Sequence, residues 1–146
     1  MNNSEFLQNV VKKLKEVIKE NNYSDRLCVI FDIDDTLIST MESKPIKQTY
    51  DLYNKCLQLG LTVFIVTARN ALQSNIKVTQ KELHKYNIIN YNTIYFRPIN
   101  IRDIFKYKYD CRKDIFDKGY HCIMSIGDQI TDLGDYGGMG ILINHR

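Results

Sequence analysis

Short apolar runs alternate with segments of helical spacing along the whole chain, and this alternation limits the fold more than any other feature. The runs cover residues 27–31, 61–66, 93–96, 121–126 and 141–143. Between them, a helix opens at Pro45 and ends at Gly60, a second spans 70–86, a third 109–118 and a short one 130–136. Ile76, Val78 and Leu83 supply the inward side of the second. Ser4 caps a further helix reaching about Asn21, with Leu7, Val10, Val11, Leu14, Val17 and Ile18 on one face. Strands that alternate with helices predict an α/β fold: a three-layer, Rossmann-like parallel sheet flanked by helices, with right-handed crossovers. A length of 146 residues predicts one domain over 1–146, with the first helix packed on its core.

Composition narrows the class. Hydrophobic residues make up 44% and charged residues 25%, which is the profile of a soluble globular chain rather than a disordered one. No apolar run nears the roughly 18 residues of a membrane helix. The opening Met1-Asn2-Asn3-Ser4-Glu5 leads into no apolar leader core, so the expected location is cytoplasmic. A formal charge of +3 is too mild to point to nucleic acid. None of the four cysteines forms a Cys-x-x-Cys pair, so zinc-ligand spacing is missing. Cys28 and Cys122 lie inside apolar runs and read as small reduced hydrophobes.

Parallel sheets of this kind bind ligands beyond the carboxyl ends of their strands. Asp32-Ile33-Asp34-Asp35-Thr36 follows the first run. Alternation along an extended chain puts Asp32 and Asp34 on one side, where two carboxylates repel unless a cation or protons join them. An EF-hand is excluded, because Thr36 and Leu37 stand where its acidic ligand and turn glycine belong. Thr67-Ala68-Arg69 follows the second run, and its hydroxyl and backbone N–H groups can hold an anion. Gly127-Asp128-Gln129-Ile130-Thr131-Asp132 follows the fourth, with Asp128 and Asp132 spaced for one helical face. Together these carboxylates make a hard, all-oxygen site suited to Mg2+. Lys106 and Lys108 stand before the third helix segment, with Arg112 beyond. As a cluster they read as surface charge, or beside an acidic metal site as a phosphate clamp. Gly137-Gly138-Met139-Gly140 follows a helix and precedes a strand, so it reads as tight turns and not as a phosphate loop.

As a set, these residues resemble the haloacid dehalogenase (HAD) superfamily of phosphohydrolases. Its Asp-x-Asp-x-Thr motif is similar to 32–36, its strand ending in Thr to 64–67, its lysine to Lys108 and its Gly-Asp-x-x-x-Asp to 127–132. Lys106 competes for the lysine position. A narrower likeness is to the acid-phosphatase-like subfamily, with its bacterial class B and C enzymes and plant vegetative storage proteins. It rests on Thr67-Ala68-Arg69, Thr79, Leu83, Phe96-Arg97-Pro98, Arg112-Lys113, Lys118-Gly119-Tyr120 and Ile126-Gly127-Asp128-Gln129.

The resemblance implies a HAD-type fold with a minimal cap or none, because the stretch from Asp34 to Thr67 holds only a loop and one helix. It also implies a phosphatase that uses Mg2+ and an aspartyl phosphate. Asp32 would be the nucleophile and Asp34 the acid–base, while Thr67 and Lys108, aided by Ala68 and Arg69, would hold the phosphoryl oxygens. The metal would lie on Asp32, the Asp34 carbonyl, Asp128 and Asp132. A small phosphoester is the expected substrate. An uncapped site also admits a phosphorylated nucleic-acid end or phosphoprotein, or a second subunit covering it in a homo-oligomer; no membrane partner is expected. The remaining reading is a binding or storage protein of the same fold without catalysis, against which Asp32 and Asp34 stand together.

Overall fold

The computed structural model describes residues 2–144. In chain order the elements are α1 (Asn3–Glu20), β1 (Leu27–Phe31), β2 (Ile38–Ser39), β3 (Lys44–Pro45), α2 (Lys47–Gln58), β4 (Thr62–Asn70), α3 (Gln73–Lys85), β5 (Thr93–Arg97), α4 (Ile104–Asp117), β6 (His121–Gly127), a 3-10 turn (Ile130–Asp132) and β7 (Met139–Leu142). Five strands form one parallel sheet in the order β5-β4-β1-β6-β7. The short strands β2 and β3 pair as an antiparallel hairpin directly after β1.

Alternation along the central strands divides the core in two. Val29 and Phe31 of β1 and Val63 and Ile65 of β4 face Leu14 of α1, Leu52 of α2 and Leu83 of α3. Cys28 and Ile30, with Phe64 and Val66, face Tyr107, Cys111 and Ile115 of α4. Buried on both faces, β1 is apolar at every position and β4 over residues 63–66, as a parallel sheet requires. Three helices cover one face and α4 covers the other, which makes the three-layer α/β architecture that the alternation predicts. All four cysteines are buried free thiols, and burial pushes Cys111 up to about 11 and Cys56 to about 12, so they act as packing groups. Among the described residues no helix is long and apolar enough to cross a membrane.

Several boundaries differ from the sequence reading, each for a local reason. Asn2 caps α1, its side chain accepting from the Glu5 N–H at 2.9 Å, so Ser4 lies inside the helix. Pro45 sits in β3 opposite Ile38, and α2 starts at Lys47. The segment expected to be a polar loop therefore contains a hairpin, driven by Leu37 and Ile38, which are both buried. In α3 the inner face is centred on Thr79 and Leu83, which leaves Val78 63% exposed. α4 starts at Ile104 rather than 109, because the Asp103 carboxylate accepts the Lys106 N–H at 3.0 Å and caps it. The short helix expected over 130–136 is only a 3-10 turn, since Gly134 follows with φ +122°.

The glycines before β7 are turn residues, and Gly138 is the most constrained of them. Its φ is +64°, and an added Cβ would lie 2.6 Å from the Cys122 carbonyl oxygen and against the Ile123 backbone. Backbone cannot yield as a flexible side chain can. Gly138→Ala should therefore cost at least about 2 kcal/mol. In a thermal melt this appears as a fall in Tm on the order of 5–10 °C. An unchanged melt would show that the turn relaxes without cost.

Candidate functional site

The chain leaves β1 carrying its sheet pairing one residue further, with the Asp32 N–H donating to the Ile126 carbonyl at 3.1 Å. It then turns at Asp35, whose φ is +56°. The Asp35 carboxylate accepts from the Thr40 N–H at 3.0 Å and from the Thr40 hydroxyl at 2.9 Å, tying this turn to the hairpin. The Thr36 hydroxyl donates to Asp32 Oδ2 at 3.0 Å. Asp35 and Thr36 thus hold the loop in shape. Asp32 and Asp34 are left to line one cavity of about 180 Å³, together with Ala68, Ile104, Lys108, Asp128, Gln129, Thr131 and Asp132.

Lys108 lies at the centre, 3% exposed. The start of α4 at Ile104 puts Tyr107, Lys108, Cys111, Arg112 and Ile115 on its buried side. The Lys108 ammonium donates to Asp32 Oδ1 at 3.1 Å, Asp132 Oδ1 at 2.6 Å and the Val66 carbonyl at 3.0 Å. Three protons meet three acceptors. Burial works against this ammonium, but the Asp32 and Asp132 carboxylates outweigh it and hold its pKa above the ordinary lysine value. Lys106, by contrast, is on the exposed side with its ammonium on Asp110 at 2.9 Å.

Both lysines are helical rather than ahead of the helix, and Asp128 and Asp132 meet through a loop and a 3-10 turn rather than along one helix. Asp132 Oδ2 accepts the Gln129 N–H at 3.0 Å, which leaves Oδ1 for Lys108. Gly127 makes this possible, since a Cβ there would overlap the Asp132 carboxylate. Arg112 is buried too, and donates to the Asp135 carbonyl at 2.8 Å and the Thr131 carbonyl at 3.0 Å. It therefore braces the loop that carries Asp132, and is not surface charge.

Oxygens of Asp32, Asp128 and Asp132 lie within 4.8 Å of one another. Three carboxylates around one ammonium leave a surplus of negative charge in a partly dehydrated place. Burial accordingly pushes the Asp32 carboxyl up to about 8; Lys108 opposes this and Asp132 adds to it. A cluster with only oxygen donors and unbalanced negative charge suits a hard divalent cation. The Asp34 side chain is outside this cluster.

The Asp34 side chain meets Arg69 instead. Arg69 Nε donates to Asp34 Oδ2 at 3.0 Å and Nη2 to Oδ1 at 2.7 Å, a two-pronged pair. Its Nη1 donates to Glu82 at 2.8 Å and to the Thr79 hydroxyl at 3.1 Å. The phosphate-binding role implied for Arg69 thus has protein carboxylates as competitors. Thr67 is fully buried, its hydroxyl accepting from the Arg69 N–H at 3.1 Å and its carbonyl from the Tyr107 hydroxyl at 2.8 Å. Ala68 lines the cavity, and its carbonyl accepts from Arg97 Nε at 2.9 Å. Glu82 is absent from the sequence-based candidates. Its signal was there: a carboxylate next to Leu83 and three residues after Thr79, on a helix face that turns inward.

Comparison with known proteins adds two findings. A family model described as HAD superfamily, subfamily IIIB (acid phosphatase), matches residues 38–144, more than half of the chain. That match takes in Thr67, Lys108, Asp128 and Asp132 and begins beyond Asp32 and Asp34. Vegetative storage protein 2 of Arabidopsis thaliana is 28% identical over 132 residues, covering 71% of this chain and 49% of the relative. The chain spans about half the length of that relative.

Proposed function

The chain belongs to the HAD superfamily, subfamily IIIB, and from that footing we propose that it hydrolyses phosphomonoesters with Mg2+, through an aspartyl phosphate on Asp32. One observation carries this reading: Asp32, at the end of the central strand, shares a single cavity with Asp34, Lys108, Asp128 and Asp132.

Asp32 attacks phosphorus, which splits one hard displacement into two easier ones. Asp34, across the cavity, gives a proton to the departing alkoxide and later takes one from the water that releases phosphate. Such acid–base help contributes on the order of 10²–10⁴ in rate. Lys108, which lines the cavity beside Asp32, would turn one of its three protons from a protein acceptor to the phosphoryl oxygens and stabilise their charge. Ala68 lines the cavity near the end of β4; Thr67 and Arg69, its neighbours in the strand, would have to turn from their present partners to reach the phosphoryl oxygens. Asp32, the Asp34 carbonyl, Asp128 and Asp132 would hold Mg2+, which supplies the positive charge that lets an anionic nucleophile approach an anionic ester. Between β1 and β4 the chain has only the hairpin and α2, so a small phosphorylated substrate enters an open cavity. The Arabidopsis relative is named for storage; Asp32 and Asp34 together support catalysis in this chain.

Metal removal tests the reading. Hydrolysis of 4-nitrophenyl phosphate should stop in excess chelator and return with Mg2+. Ca2+ should occupy the site and support little turnover, because its larger and looser shell misplaces the nucleophile. Full activity in chelator would remove the metal from the reaction.

A further inference from the structure

Asp34 is the only one of the four cavity carboxylates that does not share the cluster around Lys108. Its side chain is 41% exposed on a loop, where a carboxylate turns freely unless something holds it. The two-pronged pair with Arg69 fixes both its oxygens and the plane of the group. Arg69 is itself held from behind by Glu82 and Thr79. Both belong to α3, which the fully buried Leu83 anchors in the core. A rigid path therefore runs from the core through α3, Glu82 and Arg69 to Asp34.

We propose that Glu82 is a positioning residue for the acid–base step, acting through Arg69 to aim Asp34 at the leaving-group oxygen. The proposal rests on the phosphatase reading and on Asp34 as its acid. Charge supports it over a substrate-binding role for this arginine. One guanidinium lies between two carboxylates, so the trio carries a net negative charge and on balance repels a phosphate dianion. Without Glu82, Arg69 keeps only the neutral Thr79 hydroxyl behind it and is held less firmly away from the substrate. Asp34 then loses its aim while phosphate binding stays the same or tightens.

The test compares leaving groups of similar size and different acidity. 4-Nitrophenyl phosphate releases a phenolate that needs no proton, whereas benzyl phosphate releases an alkoxide that does. Alcohol release in the first turnover, with Mg2+ present, isolates that step. Glu82→Ala should slow benzyl alcohol release about 10- to 100-fold, as a small misplacement of a catalytic group does, and nitrophenol release by less than about threefold, with KM unchanged or lower. Glu82→Gln keeps the hydrogen bond to Arg69 and should recover most of the benzyl rate; it also serves if the alanine variant folds poorly. Equal losses on both esters would reduce Glu82 to a structural brace, and a raised KM with unchanged rate would place Arg69 on the phosphate; either overturns the proposal. Asp34→Asn is the control for the underlying reading. If it shows the benzyl-selective loss and Glu82→Ala does not, the positioning role fails and the acid stands. If Asp34→Asn itself slows both esters equally, Asp34 is not the acid and the positioning role falls with it.

Discussion

Asp32→Asn should remove essentially all phosphatase turnover and, in the metal-free protein, raise stability at pH 8. The amide keeps the shape of the side chain but is a poor nucleophile and a poor ligand for a hard cation, so no slow version of the same route remains. A purified variant keeping even ~10% of wild-type turnover would show that another group attacks phosphorus. The stability half follows from burial. Burial raises the Asp32 carboxyl from its ordinary value of 3.8 to about 8 in the folded chain. Between those values the folded state holds a proton that the unfolded state has released, so stability falls as pH rises through that window. Asparagine has no proton to lose. In chelator, the melt of Asp32→Asn should lie above that of wild type at pH 8, and the gap should close toward pH 4. A gap independent of pH would mean that Asp32 ionises as readily folded as unfolded.

The legible part of this molecule was the part written in local pattern. β1 is read over 27–31 because five consecutive apolar residues between Arg26 and Asp32 are too few for a helix and fit a doubly buried strand. Once such strands alternate with helices, the sheet is parallel, and residues following strands share one crevice. On that ground the sequence groups Asp32, Asp34, Thr67, Ala68, Arg69, Asp128 and Asp132; Asp32, Asp34, Ala68, Asp128 and Asp132 line one cavity, while Thr67 is fully buried and Arg69 turns to Asp34 and Glu82. What failed was register in weakly patterned segments. The hairpin rests on two-residue strands, too short for any periodicity to show. The start of α4 was set by Asp103, a single capping residue, and five residues of helix went unread with it. Without those five residues, the choice of Lys108 over Lys106 rests on the family resemblance alone. From Ile104 onward, Tyr107, Lys108, Cys111, Arg112 and Ile115 follow one helical face, and the two lysines separate at once. Arg69 shows the other limit. Its partners Asp34 and Glu82 are 35 residues before it and 13 after it, and no local spacing records that meeting.

The two lysines give the sharpest contrast in expected effect. Lys108→Met keeps most of the side chain's length and volume, so the loss is of charge and not of packing. It leaves Asp32 and Asp132 facing each other in a buried place without the ammonium that joins them at 3.1 and 2.6 Å. Removing one partner from a buried ionic group costs about 3–5 kcal/mol, because the hydrogen bonds that remain, here from the Thr36 hydroxyl and the Gln129 N–H, do not neutralise the charge left behind. Proton uptake by Asp32, already raised, absorbs part of that cost, so the deficit should be larger at pH 8 than at pH 5. Catalysis should suffer as well. A donor aimed at developing charge in a water-poor site contributes about 3–4 kcal/mol, a factor on the order of 10²–10³ in kcat/KM. Lys106→Ala removes an exposed pair with Asp110 that solvent screens, so its melt should match that of wild type. Its kcat/KM should stay within about threefold of wild type, since its ammonium is on solvent and Asp110 rather than in the cavity. Steady-state hydrolysis of 4-nitrophenyl phosphate at saturating Mg2+, with melts of both variants in chelator, separates the two. A reversed ranking would move the phosphate clamp to Lys106. Two mild effects on rate beside a large loss of stability in Lys108→Met would leave Lys108 as the counter-charge that lets Asp32 and Asp132 share one burial site, and the phosphoryl oxygens would then be held by the metal and the end of β4.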